Sequence, residues 1–191
     1  MRLYGKHRGT LIYSMWGRKK SETVMGQALV PVLPNLWRFA LSLSGRPDVA
    51  DDLVQSTCLR AIERQDQFQP GTKLQAWVFT ICRSIWLNEL RKTSVRKTGS
   101  LTTVAVENIP DIFPPQETNI FAREVFMKVM ALPEAQRETV LLVYVEEFTY
   151  REAADLLDVP IGTIMSRLSA ARAKLAPLAQ SSQGTGKVQK Q

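Results

Sequence analysis

Apolar residues recur at intervals of three and four over several stretches of the chain, a pattern that predicts amphipathic helices. The pattern becomes regular near Gln27, and Leu36, Phe39 and Leu43 then mark one face of a helix. Gly45 is expected to end this helix, since glycine is the residue best suited to a left-handed C-terminal cap. Ordered structure is therefore expected from about Gln27.

Two further helices are predicted before residue 98. One opens at Pro47–Asp48, with Asp48 as its N-cap, and continues to about Asp66. Pro70–Gly71 predicts a turn. The next helix covers 74–97, with a possible break near Arg83–Ser84. No stretch alternates apolar and polar residues in the manner of a β-strand.

Residues 98–121 differ from their surroundings because they contain acids, prolines and no basic residue, and lack periodicity. This composition is typical of a flexible linker. The predicted fold class is therefore all-α, with two small helical domains at 27–97 and 122–178. A basic tail at 1–26 and a polar tail at 179–191 are expected to be disordered.

The segment FTYREAADLLDVPIGTIMSRLSAARAKL predicts a helix-turn-helix in the C-terminal domain. Thr149 and Glu152 have the spacing of a capping box, which opens the first helix. Asp158–Pro160 interrupts it, and a second helix is predicted from about Ile161. Such a pair can place its second helix in the major groove of DNA.

The second helix should bury Ile164 and Leu168, and its other face contains cations and hydroxyls but no acid between Gly162 and Ala176. This charge distribution favours contact with DNA phosphates over the alternative of an ordinary hairpin with a solvated basic face. The leading turn lacks arginine and asparagine, so DNA shape is expected to contribute to specificity. The candidate DNA-binding residues are Arg151, Thr163, Met165, Ser166, Arg167, Ser169, Arg172 and Lys174.

A second cationic cluster occupies 73–97 and includes Trp77, Phe79 and Trp86. Basic residues combined with aromatic rings suit single-stranded DNA, whose bases stack on such rings. Trp77 and Phe79 are two residues apart on a helix and cannot both point outward, so we assign them mainly to the core. Trp86 is expected to be the exposed ring.

The net charge is +7 and the pI is about 9.6. Both values are compatible with binding to nucleic acid or to anionic membrane surfaces. No apolar run is long enough for a membrane helix or a secretory signal, so a cytoplasmic protein without membrane insertion is expected. The basic tail leaves three candidate translation starts, Met1, Met15 and Met25.

Composition also argues against several enzyme chemistries. One histidine, His7, and two isolated cysteines, Cys58 and Cys82, do not supply a four-ligand zinc site. The acids are scattered, so no two-metal catalytic centre is predicted. We expect neither a cofactor nor a metal.

Three segments in order, ADDLVQSTCLRAI, PGTKLQAWVFTICRSIWLNELRK and LPEAQRETVLLVYVEEFTYREAADLLDVPIGTIMSRLSAARAKL, resemble bacterial RNA polymerase sigma factors. The closest group is the extracytoplasmic-function type of the sigma-70 family, which has only two helical domains. The resemblance covers about Gln27 to Leu178.

The resemblance implies three binding surfaces. The residues matching the surface that docks on core polymerase are Asp51, Asp52, Leu53 and Gln55. Those matching the part that melts the −10 element and captures its non-template strand are Lys73, Arg83, Ser84, Trp86, Asn88, Arg91 and Lys92. The helix-turn-helix matches the part that binds the −35 element as duplex.

The resemblance also implies a non-enzymatic specificity subunit, with catalysis left to the polymerase, and an anti-sigma factor as a further partner. Two alternatives stay open at this point. A stand-alone helix-turn-helix regulator would leave the cluster at 73–97 and the acids at 51–52 without a role. A nucleic-acid-processing enzyme would need an acidic cluster that the chain lacks.

Overall fold

The computed structural model describes residues 24–96 and 120–181, and in these two ranges every regular element is a helix. The all-α prediction is confirmed. Helix α1 includes residues 24–29 and is followed by a 3₁₀ turn at Val30–Val32. The other helices are α2 (Leu33–Ser44), α3 (Pro47–Glu63), α4 (Leu74–Arg96), α5 (Ile120–Met130), α6 (Glu134–Val140), α7 (Tyr150–Leu157) and α8 (Ile161–Ser181). The predicted linker and most of both predicted tails lie outside the described residues.

Helical structure is already present before the predicted boundary at Gln27. Residues 24–29 are helical, and Met25 and Leu29 are buried in the hydrophobic core. The apolar side chain of Met25 therefore belongs to the N-terminal domain. This helix was missed because fewer than two turns offer too few apolar positions to establish a period.

The boundary between α2 and α3 follows glycine and proline geometry. Gly45 ends α2 in the left-handed conformation, with φ of 69°, as predicted. Pro47 is the first residue of α3, where its missing N–H costs no hydrogen bond. The N-cap is Arg46 and not Asp48, which lies in the first turn and forms an ion pair with Arg46. The predicted cap was therefore wrong.

Helix α4 runs without interruption through Arg83 and Ser84, so the predicted break is also wrong. The stretch contains no glycine or proline that would force one. The Ser84 hydroxyl donates to the Ile81 carbonyl at 2.7 Å, within the same helical turn. Residues on both sides of Ser84 consequently share one rigid axis.

Stacked aromatic rings occupy the centre of the core. The rings of Phe39 and Phe79 stack with centroids 4.4 Å apart, and Phe79 also faces Phe148 at 6.0 Å. Trp77 is half-buried against Phe68, with centroids 5.4 Å apart. The assignment of Trp77 and Phe79 to the core is confirmed. Because Phe148 belongs to the C-terminal domain, the two helical domains share one continuous core.

The C-terminal domain contains the predicted helix-turn-helix. Helix α6 continues as a π-helical turn, Leu141–Val145, before the chain reverses direction. The Thr149 hydroxyl and the Glu152 carboxylate form the predicted capping box at the start of α7. Asp158 ends α7 with φ of 53°, and α8 extends three residues beyond the predicted limit at 178, to Ser181.

Arg137, on α6, joins the two domains from a buried position. Its guanidinium donates to the carbonyls of Ser42 and Leu43 at the end of α2 and of Met130 at the end of α5. The last carbonyls of a helix have no partner within that helix, and they carry its negative dipole. Arg137 therefore caps one helix of each domain with a single cation.

Arg137→Met is expected to lower the free energy of unfolding by about 3 kcal/mol, because it leaves buried carbonyls without donors while retaining most of the side-chain stem. Urea denaturation followed by circular dichroism measures the change. Arg172→Met, at an exposed arginine of α8, is the matched control and should change stability by less than about 0.5 kcal/mol. Equal stabilities for the two variants would contradict the bridging role.

Candidate nucleic-acid interface

The outer face of α3 presents part of the predicted polymerase-docking surface. Asp52 and Gln55 are exposed. Leu53 is only 3% exposed, so its prediction as a surface contact is wrong and it packs in the domain core. Asp51 is exposed but accepts a hydrogen bond from the Trp37 indole Nε1 at 2.7 Å, which ties α3 to α2.

Leu59 was missed as a surface residue. It is 60% exposed and lies seven residues after Asp52 and four after Gln55, on the same face of α3. The signal was present in the sequence, since Leu59 falls outside the apolar stripe of Ala50, Leu53 and Ala61. Leu59 adds exposed apolar area to the face that presents Asp52 and Gln55.

The predicted strand-capture residues, which lie on α4 or directly before it, divide into two groups. The first group is exposed to solvent: Lys73, Ser84, Asn88, Arg91 and Lys92. Within it, Arg91 donates to the Asn88 amide oxygen at 3.3 Å, and Lys92 pairs with Glu89 at 2.7 Å. The second group, Arg83 and Trp86, faces the C-terminal domain.

Trp86 is half-buried, contrary to the prediction of an exposed ring. Its indole Nε1 donates to the Glu134 carboxylate at 2.8 Å. Glu134 lies in the first turn of α6. The ring therefore contacts the C-terminal domain in this structure, and only a change in the domain arrangement would present it to a base.

Arg83 and Arg167 converge on the same carboxylate. Arg83 Nε lies 3.6 Å from one oxygen of Glu138, and Arg167 Nη1 lies 3.3 Å from the other. Arg83 was predicted to contact the −10 strand and Arg167 the −35 duplex. The structure thus brings together one residue from each predicted DNA surface.

Two more carboxylates of the C-terminal domain contact the N-terminal domain. Glu152 pairs with Lys73 at 2.6 Å, and the Lys73 ammonium also lies 5.6 Å above the Phe148 ring. Glu146 accepts from Arg38 at 2.8 Å and from Gln75 at 2.6 Å. We call Glu134, Glu138, Glu146 and Glu152 the interdomain carboxylates, and their pairing with the N-terminal domain the closed arrangement.

The outward face of α8 matches the predicted DNA-binding surface in part. Met165, Ser166, Ser169, Arg172 and Lys174 are exposed, as is Arg151 on α7, whereas Thr163 is half-buried. The Ser166 hydroxyl donates to the Thr163 carbonyl at 3.0 Å. Ile161, which was not predicted, is exposed, as is Met165 one turn later, so the start of α8 presents two apolar side chains to solvent.

Burial and hydrogen bonding shift the pKa values of three titratable groups. Desolvation outweighs the neighbouring Arg83 and Arg167 and raises the pKa of Glu138 to about 6. Hydrogen bonds from Lys73 and Thr149 hold the pKa of Glu152 at about 2. Burial raises the pKa of the Cys82 thiol to about 12, so this thiol is a poor nucleophile.

Over residues 24–96 and 120–181, the His, Cys, Asp and Glu side chains form no group of three or more that could bind a metal ion. Within the same ranges, no helix combines the length and apolar character of a membrane span.

Comparisons with known families match both predicted domains. The model of "Sigma-70 region 2" matches residues 30–96, and that of "Sigma-70, region 4" matches residues 123–175. The two matches occur in this order and coincide with the two helical domains.

Curated relatives agree with these matches. The RNA polymerase sigma factor EcfG of Rhodopseudomonas palustris is 39% identical over 150 residues, which cover 78% of the chain and 82% of that relative. The sigma factor SigC of Mycobacterium tuberculosis is 32% identical, with 80% and 81% covered. Both are named as factors of the extracytoplasmic-function (ECF) group.

One solved structure similar to the chain is the sigma factor RpoE of Bartonella quintana in complex with the anti-sigma factor NepR. The TM-score is 0.64 at 36% identity, and the match covers 81% of the chain and 95% of RpoE.

The raised pKa of Glu138 predicts a pH-dependent stability. The folded protein binds this proton more tightly than the unfolded chain, whose pKa is near 4.5. The contribution of Glu138 is therefore complete below pH 4.5 and is lost as pH rises through 6, by about 2 kcal/mol in total.

Glu138→Gln cannot titrate, so the stability of the wild type relative to this variant should fall between pH 4.5 and 7. Urea denaturation of both proteins across this range measures the difference. The lowered pKa of Glu152 has the opposite effect, since its contribution to stability is lost as pH falls. Glu152 is present in both proteins, so its contribution cancels in the difference between their stabilities. A difference that is independent of pH would contradict the assignment to Glu138.

Proposed function

The chain belongs to the extracytoplasmic-function group of the sigma-70 family and is an alternative sigma factor that initiates transcription with RNA polymerase, and we propose that it does so through three surfaces of its two domains. The first surface docks on core polymerase, the second captures the −10 strand and the third binds the −35 duplex. We assign no catalytic step to the chain.

For the polymerase dock we propose the face of α3 formed by Asp52, Gln55 and Leu59. All three side chains are exposed, and the helix beneath them is held by the buried Leu53. An exposed leucine between polar groups supports a contact that buries apolar area as well as forming hydrogen bonds. Asp51 is assigned to α3 itself, because it already pairs with Trp37.

For strand capture we propose the exposed groups of α4, namely Ser84, Asn88, Arg91 and Lys92. The continuous axis of α4 keeps these side chains in fixed relative positions, which suits a backbone-tracking cationic surface. Trp86 and Arg83 lie on the same helix, and we propose that they join this surface once the C-terminal domain moves away. Ser84 and Asn88 supply hydrogen-bonding groups for an unpaired base.

For the −35 element we propose insertion of α8 into the major groove. Arg172, Lys174 and Arg151 are exposed and supply phosphate contacts, while Met165 and Ser169 face the base edges. Ile161 and Met165 form an apolar pair, and the thymine methyl group is the apolar feature of the major groove. We therefore propose that this turn favours thymine.

A protein inhibitor is a further proposed partner. The Bartonella sigma factor, 36% identical to the chain, was solved with the anti-sigma factor NepR. We propose that an anti-sigma factor binds this chain as well, across the two DNA-binding domains. The stand-alone regulator considered above has no support, because the region 2 match accounts for the segment that such a regulator would leave without a role.

The observation that supports this proposal most strongly is the order of the two matched regions, each on its own helical domain. Transcription in vitro with purified core polymerase and a library of promoter fragments tests it. Addition of the protein should direct initiation from specific fragments that core polymerase alone does not use. Tight binding to a fragment without any initiation would contradict the proposed function.

The double variant Asp52→Ala with Gln55→Ala is expected to weaken co-purification with core polymerase while leaving the helical circular dichroism unchanged. Adding Leu59→Ala should weaken it further, since the leucine supplies the apolar part of the dock. Gln67→Ala, an exposed position outside α3, is the control and should bind normally. Unchanged binding by the triple variant would remove this face from the dock.

A further inference from the structure

Helix α8 packs against α6 and α7 through an apolar stripe. Ile164, Leu168 and Ala171 on this stripe are fully buried. Apolar contacts are non-directional, so by themselves they constrain the rotation of a helix about its own axis only loosely. At roughly 6 Å from the axis, a rotation of about 10° moves a side chain by about 1 Å. A displacement of this size is enough to misplace a group at the edge of a base.

One directional contact joins α8 to α6. Arg167 Nη1 on α8 donates to Glu138 Oε1 on α6 at 3.3 Å. Both side chains are largely shielded from solvent, with 21% of Arg167 and 6% of Glu138 exposed. The Ser166 hydroxyl, by contrast, bonds within α8, to the Thr163 carbonyl. The Glu138–Arg167 pair therefore fixes one flank of α8 relative to α6.

The pinned flank lies opposite the residues proposed to face the bases. Met165 and Ser169 are two positions before and two positions after Arg167. Two residues correspond to about 200° of rotation around a helix, so both side chains lie on the far side of the axis from Arg167. Both are exposed. The rotation that Arg167 sets therefore determines the direction of Met165 and Ser169.

The carboxylate itself projects from a rigid part of α6. Glu138 is 4% exposed, and its neighbours Arg137 and Thr139 are buried as well. The Arg137 guanidinium donates to the Met130 carbonyl at 2.9 Å, and the Thr139 hydroxyl donates to the Ala135 carbonyl at 2.7 Å. Glu138 consequently offers Arg167 an acceptor in a fixed place.

The charge on Glu138 does not stabilise the fold at neutral pH. The charged groups that act on it are Arg83 of α4, Arg167 of α8, and Glu134 and Arg137 of α6 itself. Desolvation is the largest effect and outweighs the arginines. Replacing a buried ion pair by uncharged groups of similar volume is often neutral or stabilising. A role in orienting α8 accounts for a carboxylate at this position, whereas stability does not.

We propose that Glu138 is a positioning residue for the −35 contact: its carboxylate holds Arg167, fixes the rotation of α8 and so directs Met165 and Ser169 at the base edges. Phosphate contacts are then left to the exposed cations of α7 and α8. Glu138 and Arg167 belong to the same domain, so their contact does not depend on Arg83. This inference rests on the proposed function, because it takes α8 as the helix that binds the −35 element.

Sequence discrimination by the full-length protein with core polymerase tests the positioning role. One probe is a promoter fragment that the wild type selects from the fragment library, and the other is the same fragment with a scrambled −35 element. Fluorescence anisotropy gives the two dissociation constants, and their ratio measures the preference for the −35 sequence. A loss of folded protein affects both probes equally, so a merely structural defect leaves this ratio unchanged.

Glu138→Gln keeps the shape of the side chain and removes its charge, and at pH 7.5 we expect the ratio to fall by about tenfold, the size of one lost base contact. Arg167→Gln should cause a similar loss. The double variant should lose no more than either single variant, because both substitutions remove the same contact. Glu124→Gln, at an exposed carboxylate on α5 of the same domain, is the matched control and should keep the wild-type ratio.

The ratio for the wild type should also depend on pH. The pKa of Glu138 is about 6, so the carboxylate takes up a proton and releases Arg167 as pH falls from 7.5 to 5. The wild-type ratio should therefore fall through this range, while that of Glu138→Gln stays low throughout. Protonation of Glu138 increases the stability of the fold, so the effects on stability and on discrimination have opposite signs.

Salt dependence separates positioning from a direct phosphate contact. If Arg167 contacted a phosphate, Arg167→Gln would reduce the slope of log affinity against log salt by about 1, whereas we expect an unchanged slope. A reduced slope, with a wild-type ratio for Glu138→Gln, would overturn the positioning role and leave the proposed function intact. Wild-type protein that selects no fragment would overturn the proposed function and this inference together.

Discussion

The arrangement of the two domains depends on one buried cation, the guanidinium of Arg137. It donates to the last carbonyls of α2 and α5, which no other backbone group in those helices can satisfy. Burial lowers the pKa of Arg137, and the nearby charges of Glu134 and Glu138 oppose that effect. Because arginine keeps its charge even when buried, the carbonyls of both helices retain a cationic cap at any physiological pH.

Around this cation the domain interface combines a small aromatic contact with several ion pairs. Phe79 and Phe148 meet across the boundary within the shared hydrophobic core, and charged or polar contacts also join the two domains. The free energy needed to desolvate a charge offsets much of the favourable energy of its ion pair. Such an interface therefore specifies the domain arrangement without holding the domains together strongly.

The closed arrangement also changes how individual residues should be assigned. Arg83, Trp86 and Arg167 have the chemistry of DNA contacts, yet each has a protein partner in this structure. Asp51 likewise has a partner within its own domain. Residue type and position on a helix therefore identify what a side chain is able to bind, whereas the domain arrangement determines what it binds at a given time.

The sequence predicted four features of the fold correctly: the helix content, the capping box at Thr149, the cap at Gly45 and the helix-turn-helix. Short-range periodicity and turn chemistry determine all four. The three matched segments likewise identified the family. The sequence did not reveal that Trp86 is half-buried with its indole bonded to Glu134 of the C-terminal domain. Nor did it place Glu138 between two arginines 84 positions apart in the chain, Arg83 and Arg167. Such long-range contacts depend on how the helices pack in three dimensions, and no local pattern encodes them.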